Sequence, residues 1–174
     1  MERTPFCGRK RDFDFKGPPG VEYEGPLRFE DMTSAELKSR IQNWEDVHTE
    51  FKLQAVHADD LSAAIVAFAN SDGGQLIIGV SNDRRVIGVT DPDKLRQYME
   101  NVALNNCVPP VSISLENVAD DPALVLVVTV LKGDQRPYRT NRGVYCLRTG
   151  SGRRQASREE LLPSFPGRRE HVLR

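Results

Sequence analysis

AFANSDGGQLIIGVSNDRRVIGV, residues 67–89, changes its hydrophobic pattern twice, and those changes decide the fold. Its opening residues close a helical pattern that starts at Ala58, in which Leu61, Ala64, Ile65 and Phe68 recur on one face and Asp59 or Asp60 is the expected cap. Gly73 and Gly74 then stop the helix, because glycine turns a chain at a helix end without a Cβ penalty. QLIIGV, from Gln75 to Val80, is a continuous apolar run of strand length and reads as a buried strand. SNDRR supplies a tight turn, and VIGV returns as the second arm of a hairpin.

Working outward, TSAELKSRIQ from Thr33 reads as a short helix, with Thr33 and Glu36 at capping-box spacing. EFKLQA from Glu50 is a strand. DPDKLRQYMENVALNN has Asp91 as N-cap and Pro92 at the first helical position, with Leu95, Tyr98, Met99 and Val102 on one face. VPPVSISLENV and ALVLVVTVLK are two strands joined around ADDPA, GVYCLR is a last strand, and SREELLPSF is a last helix capped by Ser157. The order is α, β, α, β, β, α, β, β, β, α. It predicts an α+β fold in which helices flank a mixed, mainly antiparallel sheet. Residues 1–30 read as an extended arm, 31–165 as the folded domain and 166–174 as a basic tail. The arm carries Phe6, Phe13, Phe15, Tyr23 and Phe29, enough aromatic surface to wrap the domain or to make a homodimer with a second subunit.

A chain of 174 residues suits a single core. No apolar run approaches the roughly 20 residues of a membrane span, and the N-terminus lacks a signal-peptide core, so no membrane role and a cytoplasmic location are expected. Cys7, Cys107 and Cys146 are scattered and odd in number, against a disulfide framework or a zinc site. His48, His57 and His171 show no ligand spacing. Net charge is −1, yet from Lys132 onward there are 11 basic and 4 acidic residues. That asymmetry suits either a basic face for a polyanion or a solubilising tail.

WEDVHTEFK, from Trp44, places acids at a strand entrance. Strand alternation puts Glu50 and Lys52 on one face and Phe51 and Leu53 on the other, with Phe51 in the core. Glu45 lies close enough in sequence to fold back toward Glu50, and Asp83 sits at a strand end in the SND turn. Convergent carboxylates are the usual protein ligands of Mg²⁺ or Mn²⁺, which can activate water toward a phosphodiester. The plainer reading makes Glu45 a surface acid, Glu50 the partner of Lys52 or an arginine, and Asp83 a turn residue. The basic section holds Arg136, Tyr138, Arg139 and Arg142 in one loop, and Arg148, Arg153 and Arg154 around Gly150-Ser151-Gly152. Arginines suit bidentate phosphate contacts and Tyr138 could stack on an unpaired base. Alternatively, Arg148 holds a carboxylate such as Glu50 and leaves phosphate to its neighbours. Asn70, Asp72, Gly73 and Gly74 read as the geometry of a helix end.

Taken in order, EDVHTEFK, AFANSDGGQLIIGVSNDRRVIGV, RPYR at Arg136 to Arg139 and VYCLRTGSGRRQAS from Val144 resemble the Schlafen AlbA-type domain, over roughly Trp44 to Leu162. The resemblance implies an α+β domain that serves bacterial regulators as a DNA-binding module and, in paired lobes, animal Schlafens as an endoribonuclease. It implies a catalytic and metal-binding set of Glu45 and Glu50, which match an E-x-x-x-x-E pair ahead of Phe-Lys, with Asp83 at the third place. Here the sequence departs from the family pattern, since Ser81 and Asn82 separate Asp83 from Gly79-Val80. Arg148-x-Gly150-Ser151 matches a further family motif. The family has also been described as ATP-binding, but no G-x-x-x-x-G-K-[ST] is present and no ATP site is expected. The resulting expectation is a nucleic-acid-binding domain using Lys52, Arg136, Tyr138, Arg139, Arg142, Arg148, Arg153 and Arg154, with metal-dependent cleavage of tRNA or other structured RNA. Its rivals are a non-catalytic DNA-binding module and a dimerisation domain.

Overall fold

The computed structural model describes residues 32–164; the expected arm over residues 1–30 and the tail over 166–174 lie outside them. Among the described residues there are four α-helices: α1 (Ser34–Asn43), α2 (Ala58–Asn70), α3 (Pro92–Asn105) and the single turn α4 (Arg158–Leu161). The strands are β1 (Thr49–Lys52), β2 (Gly74–Ile78), β3 (Cys107–Val108), β4 (Ile113–Asp120), β5 (Ala123–Val130), β6 (Arg139–Thr140), β7 (Cys146–Thr149) and β8 (Gly152–Gln155). The main sheet runs β1-β2-β5-β4, with β1 parallel to β2 and the remaining pairs antiparallel. Two small sheets, β3 with β6 and β7 with β8, stand apart from it. The mixed, mainly antiparallel α+β architecture is the one expected.

The sheet is apolar throughout its centre because it is covered on both sides. Leu76 and Ile78 of β2, with Leu126 and Val128 of β5, pack against Leu61, Ile65 and Phe68 of α2 and Met99 of α3. Ile77, Val125 and Val127 point the other way, with Phe51 and Val118, onto Leu37 and Ile41 of α1. Strand alternation thus divides one apolar run between two cores. Thr33 caps α1 by accepting from the Glu36 backbone, and Asp91 caps α3 by accepting from that of Lys94, as their spacings predict. Among the described residues no helix is long and apolar enough to cross a membrane.

Three local expectations are corrected. VIGV is not a strand: Val80 and Val86 make one isolated bridge, and the Ile87 and Gly88 N–H groups both donate to the Gly79 carbonyl. Gly79 has φ +110°, and a Cβ there would lie 3.1 Å from the Gly88 backbone, so two backbones pack face to face where a ladder was expected. GSGRRQ, in contrast, given no element of its own between the last strand and the last helix, carries a strand. It turns at Gly150 (φ +53°) and returns as β8, pairing Arg148 with Arg153. Finally, α2 begins after His57, which makes no side-chain cap; Asp59 and Asp60 fall in its first turn, where Asp60 bonds Lys52 and Arg153.

Candidate nucleic-acid interface

Glu50 sits on β1 opposite Leu76 of β2 and is only 5 % exposed. It therefore does not stand on an open polar face as alternation alone suggested: a layer of cations covers that face. Arg148 of β7 stands over the Phe68 ring, its Cζ 4.6 Å from the centroid, and donates from Nη1 to Glu50 Oε2. Its remaining N–H groups reach the carbonyls of Val47 (3.4 Å), Asp46 (2.9 Å) and Ser151 (3.3 Å). This guanidinium is spent on the protein and is not open to phosphate; it takes the alternative role, holding the Glu50 carboxylate. Arg153 of β8 donates to Glu50 Oε1 at 2.9 Å and to Asp60, and Lys52 lies 3.2 Å from Glu50 and 2.9 Å from Asp60. Burial pushes the Asp60 carboxyl up, but the Lys52 hydrogen bond and the charges of Arg153 and Lys52 outweigh it and hold the group below the ordinary carboxylate range. Asp60 was missed from sequence because its partners, Lys52 and Arg153, come from two other segments, β1 and β8.

The other two candidate metal ligands lie apart from this cluster. Glu45 Oε1 accepts the Phe51 N–H at 2.9 Å, and so serves the outer edge of β1 beside the stacked Trp44 and Phe51 rings. Asp83 is exposed, bonded to Ser81 Oγ and paired with Arg85 at 2.7 Å. Among the described residues no three His, Cys, Asp or Glu side chains are grouped to hold a metal ion. As arranged, Glu45, Glu50 and Asp83 do not fit Mg²⁺ or Mn²⁺, because Glu50 is neutralised by three cations and the other two acids face elsewhere.

The remaining cations fall into two groups. Arg142 pairs with Asp59 in the first turn of α2 at 2.8 Å, and Arg139 on β6 reaches the Thr140 carbonyl at 3.4 Å. Beyond the other end of α2 lies a polar cavity of about 440 Å³, lined among others by His48, Asn70, Lys132, Arg136 and Arg154. Arg136 is exposed there, Lys132 pairs with Asp72 at 2.8 Å, and Arg154 pairs with Glu160. Arg154 holds the Glu160 carboxyl down to about 2. His48 Nδ1 meets the Gly73 carbonyl at 3.1 Å.

Tyr138 does not offer a stacking surface. It is 4 % exposed, its ring packs over Gly133, and its hydroxyl donates toward Asp134 and accepts from the Gln135 N–H, each at 3.3 Å. The backbone of Tyr138 is instead held by Asn70, whose Oδ1 accepts its N–H at 2.7 Å and whose Nδ2 donates to its carbonyl at 2.8 Å and to that of Cys146 at 3.1 Å. Asn70 thus ties the RPYR loop and β7 to the end of α2. Its place immediately before SDGG signalled only a helix end.

The Schlafen, AlbA_2 family model matches residues 45–157, the span that carries the Glu50 cluster, the RPYR loop and the β7–β8 hairpin. The chain belongs to the Schlafen AlbA_2 family. Among solved structures, this Schlafen domain resembles the N-terminal domain of a RecG-related protein from Nitrosomonas europaea, with a TM-score of 0.57 and 22 % identity over 82 % of this chain and 98 % of that one. It also resembles the DIP2311 protein from Corynebacterium diphtheriae, with a TM-score of 0.52 and 21 % identity over 75 % of this chain but only 27 % of that protein. At such identities the likeness is one of fold, and the Schlafen domain spans about a quarter of DIP2311.

Proposed function

We propose that this Schlafen domain binds nucleic acid, with phosphate contacts from Arg136, Lys132 and Arg154 around the cavity beyond the end of α2. The single observation that carries this reading is that cavity. It is concave and polar, and it gathers exposed cations from the 132–136 loop and from β8 beside each other. Lys132 and Arg154 each rest on an exposed carboxylate, Asp72 or Glu160, which a phosphate can replace at little cost because exposed pairs are worth only about 0–1 kcal/mol. Membership of a family that includes nucleic-acid-binding modules, and the fold likeness to part of a RecG-related protein, agree with it. Cleavage of RNA by Glu45, Glu50 and Asp83 is a finer reading that the placement of these residues does not favour, so the proposal stops at binding.

The test is fluorescence anisotropy with labelled single-stranded RNA, single-stranded DNA and duplex DNA. With about three phosphates engaged on a single strand, affinity should fall with a log–log salt slope near −2, or about fifteen-fold between 50 and 200 mM salt. Arg136→Ala should weaken binding and make that slope shallower by about 0.7. Absence of binding to every probe at about 50 mM salt, or a variant that binds as wild type does, overturns the reading.

A further inference from the structure

Lys52 and Arg153 each bridge the same two carboxylates. Glu50 Oε1 meets Lys52 Nζ at 3.2 Å and Arg153 Nη1 at 2.9 Å, while Oε2 meets Arg148 Nη1. Asp60 Oδ2 meets Lys52 Nζ at 2.9 Å and Oδ1 meets Arg153 Nη2. Every oxygen of both carboxylates therefore faces a cationic N–H, and three cations oppose two anions. A hard divalent ion needs open carboxylate lone pairs in a negative field. This cluster offers neither.

The cluster also joins three pieces of chain that backbone hydrogen bonds do not join as one sheet. Glu50 and Lys52 belong to β1, Asp60 to the first turn of α2, and Arg148 and Arg153 to the β7–β8 hairpin, which forms a separate two-stranded sheet. The hairpin is also fastened by Asn70 to Cys146 and by Ser71 Oγ to the Arg148 N–H, both at the C-terminal end of α2. From its β8 arm, Arg153 reaches Glu50 on β1 and Asp60 on α2.

We propose that Glu50 and Asp60, with Lys52, Arg148 and Arg153, form a metal-free charge centre in which side-chain cations stand where a carboxylate site would hold a divalent ion, and that Glu50 is a positioning residue which docks the β7–β8 hairpin onto β1 and α2. This inference does not depend on nucleic-acid binding. It makes the acid of the family's E-x-x-x-x-E pair a structural counter-ion in this chain. It also withholds Lys52, Arg148 and Arg153 from phosphate, which leaves Arg136, Lys132 and Arg154 exposed for that task.

The experiment uses the full chain as wild type, Glu50→Gln and Asp60→Asn. Each is followed by thermal unfolding in EDTA and in about 1 mM MnCl₂, since a metal that binds only the folded state raises the midpoint. Hydrogen exchange of residues 146–155 is compared with that of β4 and β5 in the same samples. The expected result is a wild-type midpoint that is the same in EDTA and MnCl₂. Exchange over 146–155 should quicken about ten-fold in Glu50→Gln and less in Asp60→Asn, with β4 and β5 changed much less. The exchange readout separates docking of the hairpin from a general loss of stability. Because Asp60 is partly exposed, Asp60→Asn carries the test if Glu50→Gln fails to fold. A wild-type midpoint that rises by several degrees in MnCl₂, with the rise lost in Glu50→Gln or Asp60→Asn, overturns the proposal. Exchange over 146–155 that stays at the wild-type rate in the variants overturns it equally.

Discussion

Replacing Arg148 by Met removes the most heavily used cation of the domain while keeping an unbranched apolar side chain over Phe68. The guanidinium is 1 % exposed and serves Glu50 and the carbonyls of Asp46, Val47 and Ser151, with a longer reach to that of Thr49. Breaking a buried ion pair from one side costs about 3–5 kcal/mol, because the other charge stays behind. Glu50 keeps Arg153 at 2.9 Å and Lys52 at 3.2 Å, which places the loss toward the lower end, about 3 kcal/mol. The carbonyls of the exposed Asp46 and Val47 regain water, and the methionine sulfur retains a contact with the ring, so neither adds much. In a domain of this size about 3 kcal/mol lowers the melting temperature by about 6–12 °C. Urea unfolding followed by far-UV circular dichroism and by Trp44, the chain's single tryptophan, measures the change. Arg148→Lys should recover less than half of the loss, since an ammonium cannot reproduce the planar fork. A cost below about 1 kcal/mol, or full recovery with lysine, would refute the view that this arginine is a buried structural hub.

Gly74→Ala should destabilise by at least about 2 kcal/mol in the same urea assay, since the new Cβ would stand 2.3 Å from the Phe68 ring and 2.6 Å from the His48 carbonyl. Acid should also weaken the fold in a defined window. Salt-bridging holds Glu160 at about 2, below its unfolded value, so its contribution is present above pH about 4.5 and disappears as pH falls toward 2. Asp72, lowered mainly by the Lys132 hydrogen bond, acts in the same direction. In urea midpoints measured from pH 5 to 2, Glu160→Gln and Asp72→Asn should each lose less stability than wild type.

Much of the fold could be read directly. Thr33-x-x-Glu36, Asp91-Pro92 and the helical spacing through Phe68 are local signals that act over one or two turns, and the helices stand where those signals put them. QLIIGV was recognisable as buried because a strand covered on both faces has no polar alternation. Pairing across longer distances was harder to read. Gly79 and Gly88 exchanged a strand for a close backbone approach, and GSGRRQ became a strand whose polar residues gave no alternation to find.

In the site, residue chemistry was legible and residue placement was not. The sequence by itself determined that Glu50 would sit next to core Phe51, that arginines would gather in the last third of the chain, and that the family was Schlafen AlbA_2. Only tertiary structure decided what those charges do. Burial of Glu50 under Arg148 demands full pairing, and Lys52, Arg153 and Asp60 converge from β1, β8 and α2 to complete it. Tyr138 is taken into the core by the loop that Asn70 holds, and Glu45 and Asp83 are directed to their own local partners. A carboxylate's role depends on which charges share its burial, and that is a property of packing between segments far apart in the chain.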